Sequence, residues 1–149
     1  MRKEIGVVGL LTLIILGMVT FKKMNQADPW RKDQLMEPSE LAAILNNKSA
    51  HQPMIFSVGF AAGIKNSIVE GPARDSANLA KWKMQLQKIP KNTELVIYCG
   101  CCPFDHCPNV RPAFKVLNEM SFSNAKLLDL SHNIRVDWIN KGYPTDNSQ

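Results

Sequence analysis

Leu95-Val96-Ile97-Tyr98-Cys99-Gly100-Cys101-Cys102-Pro103-Phe104-Asp105-His106-Cys107-Pro108-Asn109-Val110-Arg111 holds every cysteine of the 149-residue chain. Leu95 to Tyr98 is apolar, β-branched and aromatic, the composition of a buried strand, and Cys99 stands at its end. From Val110 the apolar positions Val110, Ala113, Phe114 and Leu117 follow helical spacing, so a helix starts near Asn109, a suitable N-cap, and runs to about Met120. A loop with three further thiols, Cys101, Cys102 and Cys107, joins strand to helix. A helix N-terminus offers unpaired N–H groups and partial positive charge, which favour a thiolate over a thiol. The thiolate is the nucleophile, so a cysteine aimed at such a terminus is the reactive kind. A buried, inert thiol is the bland alternative, and four thiols within nine positions argue against it.

Outward from this stretch, strands and helices alternate. Leu35 to Val58 holds an opening helix, with Pro38 in its first turn, Leu41, Ile44 and Leu45 on one face and Asn46-Asn47 at its end, followed by a strand over Met54 to Val58. Phe60 to Ala73 reads as a connection, with Ile64 and Ile68 as anchors. Asp75 or Ser76 caps a helix with Leu79, Trp82 and Leu86 on one face, ending before Pro90. A strand is expected over Lys126 to Leu130. A short helix follows over Ile134 to Asn140, with Gly142 as left-handed C-cap before Pro144. Strands and helices in this order predict an α/β sheet, mostly parallel, with helices on both faces and ligands at the carboxyl ends of the strands.

The N-terminus has a different character. Ile5 to Phe21 is seventeen residues without a charge, at the lower end of a membrane span. We read residues 1–23 as an uncleaved signal anchor forming one hydrophobic helix, with a cleaved signal peptide second, since no good cleavage site follows. Arg2 and Lys3 before it and Lys22 and Lys23 after it leave the positive-inside rule undecided. The expected arrangement is a domain held outside the cytoplasm, periplasmic or extracellular, with membrane contact through residues 5–21; a secreted soluble form comes second. Residues 24–32 read as a linker containing Trp30, and residues 33–149 as a single domain. Of 18 basic and 13 acidic residues, residues 1–23 hold four and one, so the net charge of +5 falls to +2 beyond them. No basic stripe interleaved with aromatics is present, so nucleic acid is not an implied partner.

Four local patterns resemble one family. Leu79 to Cys99 is similar to the approach to a catalytic cysteine in the rhodanese-like domains, through the Ile89-Pro90-Lys91-Asn92 turn and the Val96-Ile97-Tyr98-Cys99 strand end. Leu117 to Phe122 is similar to that family's helix end and turn, Trp138-Ile139-Asn140-Lys141-Gly142-Tyr143-Pro144 to its closing Trp-x-x-x-Gly-x-Pro, and Leu35 to Val58 to its opening. The resemblance spans Asp33 to Thr145 and implies a three-layer rhodanese-type sulfurtransferase domain. By it Cys99 is the residue that carries a persulfide, taking sulfane sulfur from a small donor such as thiosulfate and passing it to a thiophilic acceptor, a protein thiol among them. Four features depart from the family pattern: the cysteine loop is longer, Ser57-Val58-Gly59 stands where the family has Asp-x-Arg, His132-Asn133 stands near its Gly-Gly, and Asn109, with Arg111 two residues on, stands where the family commonly has Arg at the loop end.

Three readings of the loop stay open beside a plain disulfide staple. In sulfur transfer, Cys99 is the nucleophile and Cys101, Cys102 and Cys107 are auxiliary or resolving thiols. Thiol–disulfide redox draws on the C-x-x-C of Cys99 to Cys102. Soft-metal binding draws on thiolates with His106, although ligands so close in sequence do not suit a closed zinc site, and no resident metal or cofactor is assigned. Asn109, Val110, Arg111 and His106 are the candidate substrate-binding residues, Arg111 because a guanidinium matches an oxyanion. Asp105 can tune the thiols, and His132 with Asn133 can approach the site. No Ser, His and Asp set accompanies Ser57.

Overall fold

The computed structural model describes residues 27–60 and 63–146. The expected N-terminal helix and anchor lie outside the described residues, and among these no helix is long and apolar enough to cross a membrane. Five strands form one parallel sheet: β1 (Leu35–Met36), β2 (Met54–Ser57), β3 (Ser67–Val69), β4 (Leu95–Tyr98) and β5 (Ala125–Leu128), in the spatial order β1-β5-β4-β2-β3. All four residues of β4 are buried, the mark of a strand covered on both faces. It pairs with β2 from Met54↔Leu95 to Ser57↔Tyr98 and with β5 from Leu95↔Ala125 to Ile97↔Leu127.

Side-chain alternation divides the core in two. On one face Phe56, Leu95, Ile97 and Leu127 meet Trp82 and Leu86 of α2 (Ser76–Leu86) and Val110, Ala113, Phe114 and Leu117 of α3 (Val110–Glu119). On the other, Ile55, Val96, Tyr98 and Leu128 meet Leu41, Ala42 and Leu45 of α1 (Pro38–Asn46), together with Trp138. The α/β architecture with helices on both faces is therefore the one expected. Asp75, rather than Ser76, caps α2, its carboxylate accepting from Ala77 N–H at 2.8 Å.

Several boundaries differ from expectation for physical reasons. The Phe60–Ala73 connection contains β3, an edge strand too short for an alternation signal. Ile64 is an anchor, fully buried, but Ile68 stands on the outer edge at 45% exposure. β1 has only two residues and was hidden in the approach to α1. The closing helix is split: α4 (Ile134–Asp137) stops where Trp138 takes φ −129° and ψ −63°, and a 3-10 turn (Ile139–Lys141) leads to Gly142 in the left-handed region at φ 69°. Trp30, placed in a linker by its polar neighbours, is buried. Its ring lies 5.9 Å from that of Phe104 in the cysteine loop and 5.9 Å from that of Phe114 in α3.

Candidate functional site

β4 delivers Cys99 to the carboxyl edge of the sheet, on the face that α2 and α3 cover. The next strand over, β2, ends alongside it, and Val58 N–H donates to the Tyr98 carbonyl at 2.9 Å. Gly59 follows, and a Cβ there would lie 3.0 Å from Cys99 Sγ, so this wall of the recess is bare backbone. Two backbone hydrogen bonds moor the loop beyond Cys99 to the segment after β5: Ile134 N–H to the Gly100 carbonyl at 3.0 Å, and Phe104 N–H to the Leu130 carbonyl at 3.1 Å. A 3-10 turn (Phe104–His106) then returns Cys107 to the interior, where it is 1% exposed.

Asn109 sits at the N-cap position of α3, as expected, but its side chain does not cap the helix. Its Oδ1 accepts from Arg74 N–H at 3.1 Å, which fixes the amide orientation, and its Nδ2 donates to Cys99 Sγ at 3.4 Å. The sulfur has taken the donor, and a main-chain N–H from the α2 approach has taken the acceptor that the helix end would otherwise use. Both Asn109 and Cys99 are buried.

The four cysteines are free thiols. Cys99 Sγ lies 3.3 Å from Cys101 Sγ, which lies 3.1 Å from Cys102 Sγ, and the sulfurs of Cys99, Cys101 and Cys107 are all within 4.8 Å of one another. Cys99 is lowered to about 5, chiefly by a hydrogen bond from the Cys107 thiol. Burial opposes the shift, and the Cys101 N–H, the Asn109 amide and the Cys101 thiol add to it. The neighbours move the other way. Burial, then the Cys102 and Cys99 sulfurs, push Cys101 up to about 12. The bond to Cys99, then burial, raise Cys107. One thiolate in a nest of thiols is the stable arrangement, and Cys99 holds the charge.

Val110 is fully buried in the core. The Arg111 guanidinium donates through Nη2 to Asp28 and the Asp105 carbonyl and lies over the Trp30 ring, its carbon 5.2 Å from the centroid, while its Nη1 is buried without a hydrogen-bond partner among the described residues. His106 is turned to solvent, its side chain 82% exposed and paired with Asp105 at 2.7 Å. His132 bonds Asp137 at 3.0 Å rather than a cysteine, and His51 is exposed. Sequence reasoning did not single out Gly59 or the Arg74 N–H; the available signal was the position of Gly59 just past the end of the strand paired with β4. A cavity of about 380 Å³ beside Leu95, Ala125 and Lys126 opens at the opposite end of the strands and holds no thiol.

Chemically, the cluster offers a nucleophilic sulfur, donors that hold negative charge on it, thiols within exchange distance and a triangle of soft ligands. Comparison with known proteins adds no name to this geometry: no protein-family model matches the chain, and no curated protein matches it.

Proposed function

We propose that the protein is a sulfurtransferase of rhodanese type, working through a persulfide on Cys99. The observation that supports this reading is a buried sulfur at the carboxyl end of the central strand, held as thiolate by the Cys107 thiol, the loop backbone and the Asn109 amide. Its sequence resemblance to the rhodanese-like domains points the same way. In the proposed step the Cys99 thiolate attacks the outer sulfur of a donor such as thiosulfate. The donor's sulfur–sulfur bond breaks, sulfite departs with the electron pair, and the negative charge passes to the new terminal sulfur. A thiophilic acceptor then takes that sulfur. The proposed setting is a domain outside the cytoplasm, anchored through residues 5–21.

Mixing the reduced full chain with thiosulfate and following sulfite tests the first step. The expected result is a burst of one sulfite per chain, absent from Cys99→Ser and retained by Cys102→Ser. A burst that survives Cys99→Ser overturns the assignment. The sulfur triangle favours one other reading, capture of a soft cation such as cuprous copper by Cys99, Cys101 and Cys107. Titration with cuprous ion against a chromophoric chelator, with no sulfite burst in the same preparation, would establish that reading instead.

A further inference from the structure

A buried persulfide beside free thiols is not a passive store, and this site has one neighbour placed both to react with it and to be reached from outside. Cys101 is separated from Cys99 by Gly100 alone, its Sγ is 3.3 Å from Cys99 Sγ, and it is exposed, whereas Cys107 is as buried as Cys99 itself. Bond formation needs the two sulfurs to close to about 2.05 Å, a movement of roughly one ångström that side-chain rotation supplies. Cys101 is also in contact with Cys102, so its sulfur sits in the middle of a line of three.

We propose that Cys101 is the resolving thiol and that the enzyme discharges its sulfur as hydrogen sulfide, with an external dithiol as the terminal reductant. This inference rests on the persulfide reading given above. In the step, the anionic outer sulfur of the persulfide takes the Cys101 proton, and the Cys101 thiolate so formed attacks Cys99 Sγ, the inner sulfur. The Cys99–Cys101 disulfide forms, the bond to the outer sulfur breaks, and that sulfur leaves with the electron pair and the Cys101 proton as hydrosulfide. The two cysteine sulfurs are oxidised and the sulfane sulfur is reduced, so the electrons balance within the chain. A dithiol then attacks at the exposed Cys101 sulfur, restores both thiols and leaves as its own disulfide. The chemical class of the partner follows: a reduced dithiol able to reach a surface sulfur, rather than an acceptor that must enter a buried recess. The bridge spans only three residues, and a strained, exposed disulfide of this kind is readily reduced.

The test uses the full chain, reduced, freed of reductant, held under anaerobic conditions and mixed with thiosulfate. Sulfite, sulfide and intact mass are followed together. The parent is expected to release one sulfide for each sulfite and to lose two hydrogens, with the disulfide mapped to Cys99 and Cys101. Cys101→Ser, a change at an exposed position that removes one of the donors to Cys99, is expected to release one sulfite per chain at a reduced rate, retain the mass of one added sulfur atom and yield sulfide only after dithiothreitol is added. Cys107→Ser, which removes the chief donor to Cys99, is expected to slow the sulfite burst but still to release one sulfide for each sulfite and to retain no added sulfur. A parent that keeps the added sulfur on Cys99 and its three other thiols overturns the inference while leaving sulfur transfer intact. Retention in Cys107→Ser rather than Cys101→Ser overturns the choice of resolving residue. Absence of sulfite in every protein removes the persulfide reading, and this inference with it.

Discussion

Cys99 owes its acidity to donors that no single segment supplies: first the Cys107 thiol, then the Cys101 N–H, the Asn109 amide from the start of α3 and the Cys101 thiol. Alkylation of Cys99 by iodoacetamide should therefore follow a midpoint near about 5 instead of 9.0. Asn109→Ala should raise that midpoint, and Asn109→Asp should raise it further, because a carboxylate repels the thiolate. The same shift links stability to pH. A group whose pKa is depressed on folding stabilises the fold fully above its unfolded value and loses that contribution as pH falls toward its folded value. The melting-temperature advantage of the parent over Cys99→Ser should thus widen from pH 5 to 9. Above pH 9.0 Cys101 opposes it, staying protonated to about 12 when folded while ionising in the unfolded chain, and Cys107 acts in the same sense. The position of Cys99 at the end of β4 was legible in the sequence. The role of Asn109 was half legible: its position was read correctly, but which of two nearby hydrogen-bonding tasks its side chain performs depends on Arg74, which is distant in sequence.

The strands and helices around the site were largely readable, because β4, α2 and α3 have long or fully apolar signals. β1 and β3 were not, since two or three residues at a sheet edge carry no period. Gly59 shows how a connection contributes as much as a regular element. Gly59→Ala places a methyl against Cys99 Sγ, with its Cβ only 3.0 Å away. Its φ is not in the left-handed region, so the main chain tolerates the change and the sulfur must move. The sulfite burst rate should fall by roughly tenfold or more with little change in melting temperature. The Asp75 cap offers the opposite case: Asp75→Ala should lower stability by about 1 kcal/mol in urea denaturation and leave the burst intact.

At the scale of the whole molecule, Trp30 ties the amino-terminal approach to the cysteine loop and to α3 at once, through Phe104 and Phe114. It was invisible as a core residue because its sequence neighbours are polar and its partners lie more than seventy positions away. Trp30→Ala should destabilise the protein by about 3 kcal/mol, measured by denaturant midpoint, and should also remove the ring over which Arg111 lies. The Asn109 amide carries a consequence for how the protein is made. Its grip on Cys99 depends on Arg74 N–H, and the bare wall beside the sulfur comes from Gly59, so the thiolate's surroundings are assembled from chain segments that meet only once β2, β4 and α3 have docked. Before that moment all four cysteines have ordinary thiol acidity and are mostly protonated at neutral pH, hence slow to exchange. An unfolded chain is chemically quiet, and completion of the fold is what arms it.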